Sequence, residues 1–444
     1  MKKFLVVFLL LIFFIPKLSA QNTNWFILPG SPMNNIKMDD IFFIDSETGW
    51  LANGQGQSLL YKTINGGYNW TILNAPSVFF RCLGFANENM GWAGDLHNST
   101  IYRTSNGGST WSGINISGVS LSGVCGINVV DSNIVYACGR YYGPSYFYKS
   151  SNGGLNWTSQ DMSTYSSTLV DLYFFNKDTG IVFGSVGTFF TGNNKACILY
   201  TTDAGNTWTN VFTSDRGKEW GWKLSFLNST TGYGVIESWR STDTVGFLKT
   251  TNAGLNWNIT RFKTGDTNFH AQSIIFNNEN TGWIGGYGSA GSGGVLDGKT
   301  YETADGGITW IGLNFGYNIN RFRKINDSLI YASGKRVYKY SPKFVSVKHI
   351  SSLTPESFKV YQNYPNPFNP VTIIKFDINS AVKGLVKLKI FDALGKEIYL
   401  LVNDALGVGT YEINFNAEEI PSGIYFYQLQ AGEFSQLKKM ILIK

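Results

Sequence analysis

The 444-residue sequence predicts an all-β protein: a seven-bladed β-propeller closed by its N-terminal strand, followed by a small C-terminal antiparallel β-sandwich. Three observations carry this expectation. One phrase recurs six times, as TINGGYNW, TSNGGSTW, SSNGGLNW, TTDAGNTW, TTNAGLNW and TADGGITW. Its tryptophans Trp70, Trp111, Trp157, Trp208, Trp257 and Trp310 stand 41 to 53 residues apart, the interval of a four-stranded propeller blade. A second landmark, a short strand opening on glycine or an aliphatic residue, occurs seven times: GWLANG at 49, GWAG at 91, VYACG at 135, GIVFG at 180, GYGV at 232, GWIGG at 282 and IYASG at 330. Beyond residue 342 the repeat gives way to apolar–polar alternation with turn signals at 393–395 and 421–423, the pattern of half-buried strands.

Taken in order, residues 1–20 read as a secretory signal peptide. Lys2 and Lys3 precede an apolar run over 4–15, and cleavage is expected after Ala20. About twelve apolar residues are too few for a hydrocarbon core of roughly 30 Å, so no membrane span is expected in the mature chain. Gln21, not Cys, follows the expected cut, so that N-terminus has no lipid-attachment residue. The propeller is expected over 21–342. Six outer phrases against seven inner landmarks leave one outermost strand missing, and NWFIL at 24–28 matches NWTIL at 69–73. The N-terminal strand is therefore expected to complete the last sheet, because an open ring would expose a long sheet edge.

Composition agrees with many short strands and tight turns: 16% aromatic, 15% charged and 50 glycines. The net charge of +6 is spread without Lys/Arg runs, which argues against nucleic acid as a partner. In VCGINVVDSNIVYACG the turn at 131–133 places Cys125 and Cys138 opposite each other across a hairpin. Export would permit a disulfide there and direct cross-strand pairing would strain it, so both outcomes stay open. Cys82 and Cys197 read as small buried hydrophobes. No zinc spacing and no phosphate-binding glycine loop is present, and no metal or cofactor is expected.

Within each phrase, Thr63 or Ser105 offers a hydroxyl, Asn65 or Asp203 caps the turn, Gly67 or Gly205 accepts positive φ, and the terminal Trp packs between sheets. The same structural roles fall to Asn106 and Gly108, Asn152 and Gly154, Asn252 and Gly254, and Asp305 and Gly307. The pattern Ser/Thr-x-Asp/Asn-x-Gly-x-Thr/Asn-Trp resembles the Asp-box or BNR repeat, and the array is similar to the Ycf48-like propeller family. The resemblance implies a fold and a turn device on the blade periphery, not catalysis. An assembly role like that of Ycf48 would need a photosystem partner, which export signals at both ends argue against.

Residues 343–358 read as a linker and 359–444 as the C-terminal domain. Pro365, Pro367 and Pro370 hold its leading segment extended. YPNPFNP, IFDALGKE, PSGIYFYQL and the Lys-rich close resemble the type A C-terminal sorting domain read by the type IX secretion system. That resemblance implies handling by the type IX machinery and passage across the outer membrane. The product would then be released or held at the cell surface, with the sorting domain commonly removed.

Ligands of propellers usually sit over the central channel. The loops leading into the innermost strands supply Asp39, Asp40, Arg81, Asp171, Trp220, Trp222, His270, Arg321 and Arg323. The loops between second and third strands supply His97, Arg140, Tyr141, Tyr142, Glu237, Trp239, Arg240 and a Gly/Ser loop over 287–298. Aromatics beside arginines suit sugar stacking or peptide anchoring, so a non-catalytic platform for a protein or glycan partner is expected. The alternative is a polysaccharide-acting glycoside hydrolase using channel-mouth carboxylates such as Asp171 and Glu237. The Arg-Ile-Pro segment of sialidases is missing, and three histidines without a GxSxG elbow leave little for a serine triad.

Overall fold

The computed structural model describes residues 24–444 apart from 29, 55–56, 117, 120–122, 141, 189–190, 239–243, 266–268, 290–294, 297, 314, 342–346, 383–384, 396, 405 and 418–419. The expected signal peptide and the candidates Tyr141, Trp239 and Arg240 lie outside the described residues. Among those described there is no α-helix, and the strands fall into repeated antiparallel sheets, most of four strands. No helix among them is long and apolar enough to cross a membrane.

Seven sheets precede residue 341. Sheets 1 to 6 cover residues 40–72, 80–115, 126–161, 168–213, 219–263 and 269–313, with strand order following the chain; sheet 6 adds the short strand Val295–Leu296. Sheet 7 joins Arg321–Asn326, Leu329–Ser333 and Val337–Tyr340 to Trp25–Ile27 from the other end of this region, with Trp25 opposite Tyr340. NWFIL thus takes the place of the missing outermost strand. The first strands of successive sheets touch one another, and Arg321–Asn326 of sheet 7 touches Asp40–Phe43 of sheet 1.

A separate hydrophobic core fills each junction between neighbouring sheets, including that between sheets 7 and 1. Each junction holds one outer tryptophan. Trp70 packs between sheets 7 and 1, Trp111 between 1 and 2, Trp157 between 2 and 3, Trp208 between 3 and 4, Trp257 between 4 and 5, and Trp310 between 5 and 6. Trp25 supplies the indole between sheets 6 and 7, edge-on to Trp283 at 5.4 Å and stacked on Phe315 at 4.9 Å. Inner aromatics cross the same junctions, as Phe43 on Tyr331 at 3.7 Å and Trp50 on Phe85 at 3.6 Å. The landmark glycine follows from this packing: a Cβ at Gly91 would stand 2.2 Å from the Phe85 ring.

All six phrases fold as one turn. Thr63 Oγ1 accepts from the Gly67 amide at 3.0 Å and donates to Asn65 Oδ1 at 3.0 Å, and Asn65 Oδ1 accepts from the Asn69 amide at 2.9 Å. The same set recurs at Thr104–Asn106–Gly108, Ser150–Asn152–Gly154, Thr201–Asp203–Gly205, Thr250–Asn252–Gly254 and Thr303–Asp305–Gly307. In the second copy the hydroxyl belongs to Thr104 and not Ser105, because the bond runs from the first residue of the phrase to the fifth. The hydrogen bonds of Asp203 and Asp305, led by those from Thr207 and Thr309, hold both carboxyls down to about 2. Cations of one sheet then clasp the turn of the next: Arg103 Nε donates to Gly153 O at 2.7 Å, and Lys149 Nζ to Ala204 O at 3.5 Å.

The hairpin expected around residues 131–133 is present, but its register sets Gly126 opposite Cys138, one position beyond Cys125. All four cysteines are buried, and no disulfide joins them. Part of the expected linker is also a strand: Val347–Ser351 pairs with Gly409–Asn416, so the C-terminal unit begins before residue 359. That unit has two four-stranded sheets, which contribute Ile374, Phe376 and Ile413 on one side and Leu388, Tyr427 and Met440 on the other to one hydrophobic core.

Candidate functional site

Counting from the second-strand landmarks exposes a set of equivalent positions at the start of the innermost strands. Asp40 pairs with Ala52, Cys82 with Gly94, Gly126 with Cys138, Asp171 with Phe183, Lys223 with Val235, Ser273 with Gly285 and Arg321 with Ser333. Several of these side chains reach into the next sheet. Asp40 Oδ2 accepts from the Leu83 amide at 2.8 Å, Asp171 Oδ2 accepts from the Leu224 amide at 2.9 Å, and Ser273 Oγ donates to Ile319 O at 3.0 Å. Arg321 Nε donates to Asp40 Oδ1 at 2.8 Å, while Lys223 Nζ reaches back to Asp171 Oδ1 at 2.9 Å.

One residue earlier, four of the sheets carry a register shift that leaves Arg81, Val170, Trp222 and Gln272 as the bulged residue. A bulge re-aims a side chain and ends regular pairing, and here it gathers side chains of distant sheets. The Arg81 guanidinium of sheet 2 lies 5.9 Å from the Trp222 ring of sheet 5 and donates to Asp39 Oδ1 at 3.3 Å. Gln272 donates to Glu237 Oε2 at 2.6 Å, and His270 Nδ1 lies 3.0 Å from Glu237 Oε1. Lys37 Nζ donates to Gln272 Oε1 and Asn320 Oδ1, each at 3.2 Å, and stands 4.9 Å over the Tyr287 ring, on which His270 also stacks at 5.0 Å.

The cluster is charged and largely withdrawn from solvent. Arg81, Glu237 and Lys223 are buried. Burial pushes the Asp171 carboxyl up to about 6, against the pull of Arg321, the Leu224 and Leu172 amides and Arg81. Burial likewise brings Lys37 down to about 7, helped by Arg81 and opposed by Asp39 and Glu237.

Of the candidates expected from sequence, Arg81, Asp171, Trp222, Glu237, His270 and Arg321 are brought into this region. Trp220 and Trp222 are only 5% and 7% exposed and belong to the core between sheets 5 and 6, so little of either indole faces solvent. Arg140 stands apart, 3.9 Å over the Tyr142 ring with Nε donating to Gly143 O at 2.7 Å. Lys37, Lys223, Gln272 and Asn320 were not singled out from sequence, although counting back from the second-strand landmarks reaches the last three. Among the described residues no three His, Cys, Asp or Glu side chains come together to hold a metal ion.

Residues 362–444 match the secretion system C-terminal sorting domain. The structure is similar to Ycf48 from Cyanidioschyzon merolae at 18% identity and a TM-score of 0.53, over 72% of this chain and 98% of that one. It is also similar to Ycf48 bound to D1 peptide, at 16% identity and a TM-score of 0.50, over 71% and 96% of the two chains. The chain is a propeller with a type IX sorting tail. No curated protein sequence matches it. At these identities the likeness to Ycf48 is one of fold.

The sorting tail marks the chain for export by type IX secretion to the cell surface or extracellular space. Its YPNPFNP segment, with Asn363 just before it, is tied to both sheets by hydrogen bonds. Asn363 Nδ2 donates to Thr372 Oγ1 at 2.9 Å and Pro365 O at 3.0 Å, while its amide donates to Tyr427 Oη at 2.8 Å. Asn366 Oδ1 accepts from the Ile441 amide at 2.9 Å, and Phe368 is buried in the shared core.

Proposed function

We propose that the chain is an exported, non-catalytic binding protein. Its seven sheets are the seven blades of one closed ring, the two C-terminal sheets form a sandwich, and residues 1–20 are a cleaved signal peptide. The six repeated turns are Asp-boxes. The ring presents the face on which its inner strands begin to a protein or glycan partner, and the product is released or held at the cell surface.

The supporting observation is how the charges of that face are disposed. Among the described residues this face carries two half-buried cation–aromatic pairs, Lys37 over Tyr287 and Arg140 over Tyr142, which suit a sugar ring or an anchored peptide. The carboxylates behind them are engaged within the protein, Asp171 by Lys223 and the Leu224 amide and Glu237 by His270 and Gln272. A carboxylate used as a fastener between sheets is poorly placed to exchange protons with a substrate. A Ycf48 structure holds D1 peptide, so a peptide segment is included among the partners proposed here.

The test is a binding screen of the mature protein against glycans and surface proteins, alongside polysaccharide hydrolysis assays. Binding without turnover, weakened about tenfold by Lys37→Glu with Tyr287→Ala, is the expected result. Turnover that disappears in the Asp171→Ala, Glu237→Ala protein would replace this reading with a glycoside hydrolase.

A further inference from the structure

Beside the central cluster, between sheets 1 and 2, lies a cleft of about 380 Å³ walled by Gly54, Ser58, Ser77, Phe79, Asp95, His97 and Asn98. Its walls come from the segment leading into the first strand of sheet 2 and from the second-to-third strand loops of sheets 1 and 2, so it opens on the same face as the mouth. The volume falls at the lower end of small-ligand sites, roughly 300–1,000 Å³.

The walls are held in place by the protein. The Leu96 amide donates to Phe79 O at 2.9 Å, extending the strand pairing outward past its last regular pair. Asp95 Oδ1 accepts from the His97 amide at 2.9 Å and Oδ2 from Asn98 Nδ2 at 2.8 Å, which fixes the loop. The His97 ring then stands edge-to-face with Phe79, centroids 5.3 Å apart at 78°. Among the described residues neither ring nitrogen of His97 has a hydrogen-bond partner, and the residue is exposed. Gly54 lets the other wall approach: a Cβ there would lie 2.4 Å from the Phe79 ring, and its amide donates to Asp39 Oδ2 at 3.1 Å, tying the cleft to the Arg81 pair. Ser58 on the rim has φ of 54°, a left-handed backbone that is uncommon for serine.

Charge narrows the ligand class. Asp95 is the one carboxyl group among the described lining residues, and both of its oxygens are used by its own loop. What remains for a ligand is an imidazole, a phenyl ring, serine hydroxyls and the Asn98 amide. That set pairs with a neutral molecule having an apolar face and many hydroxyls. We infer that this cleft is a subsite for a neutral pyranose unit of a glycan, its ring packed on His97 and Phe79 and its hydroxyls met by Ser58, Ser77 and Asn98. The inference rests on the reading of this face as the binding face and adds the ligand class and the place.

Calorimetry and saturation-transfer NMR on the mature full-length protein with neutral oligosaccharides of glucose, galactose, mannose and xylose test it. At least one is expected to bind at millimolar concentration or better. His97→Ala and Ser77→Trp, which removes a wall and fills the space, should each weaken it about tenfold or more, with melting temperature unchanged. Lack of binding by every neutral sugar, or binding confined to charged glycans, overturns the inference. Binding that survives both variants but is lost in Lys37→Glu with Tyr287→Ala also overturns it, and leaves the mouth standing as the binding site.

Discussion

In the outer turns Asp203 meets partners two and four residues away, Thr201 and Thr207, whereas at the inner mouth Asp171 meets Lys223 across 52 positions of sequence. Both are carboxylates held by hydrogen bonds, yet the first is held down to about 2 and the second is pushed up to about 6. The outer turn surrounds its carboxyl with short-range donors near solvent, so the anion is favoured. The mouth removes its carboxyl from water, and desolvation outweighs the cations that reach it. Repeated local chemistry therefore builds the periphery, and unrepeated long-range chemistry builds the centre.

The comparison predicts that the ring depends most on elements joining distant parts of the chain. Removing residues 24–28 deletes the outer strand of sheet 7 and the Trp25 indole, which alone has the weight of a buried Trp→Ala change, about 3–5 kcal/mol. The expected result is a larger loss of melting temperature than any single substitution at the mouth or in the turns produces. A truncated protein melting with its parent would show that Trp25–Ile27 does not close the structure. Arg81→Ala comes next, since it takes the guanidinium from buried Asp39, at a cost of about 3–5 kcal/mol. Chemical denaturation should show a smaller cost when Asp39→Asn accompanies it.

The two kinds of carboxylate should also respond to acid with opposite sign. Asp171 has a folded pKa above its ordinary value of 3.8, so its contribution to stability is full below about 4 and is lost as pH rises through about 6. Denaturation measured across that window should flatten in Asp171→Asn; an unchanged slope would mean the carboxyl is not desolvated as described. Asp203 and Asp305 lie below their ordinary value, so they stabilise above about pH 4 and lose that contribution as pH falls toward 2. Because the other four turns use asparagine at this place, the Asp203→Asn, Asp305→Asn protein should fold normally and lose only this acid dependence. That is the smallest effect of the four. A large loss at neutral pH would show that the six turns are not interchangeable.

How much of this could be read from the residues follows the same division. The Thr or Ser, Asx and Gly of each turn act within eight positions, so their roles are visible in one phrase, and NWFIL could be assigned to the last sheet because it repeats a phrase seen elsewhere. The offset of Cys125 from Cys138 was not visible, since a hairpin turn of the right length still permits registers one residue apart. Trp220 and Trp222 stood out as surplus aromatics, but whether an indole lines a mouth or fills a junction depends on the bulge at Trp222 and on the neighbouring sheet. Lys37 carries no local signal at all, and its setting arises from Gln272, Asn320 and Tyr287, more than two hundred positions away.

By itself the sequence determined the all-β class, the repeat and its turns, the strand that completes the last sheet and the sorting tail, because each is written in short-range patterns of side chain and backbone preference. Only the tertiary structure decided which charges pair at the mouth, which aromatics are buried and where a cleft opens between sheets 1 and 2. Those outcomes are set by bulges and by the meeting of separate sheets, and the free energy of a buried charge or ring depends on neighbours that the chain brings from far along its length.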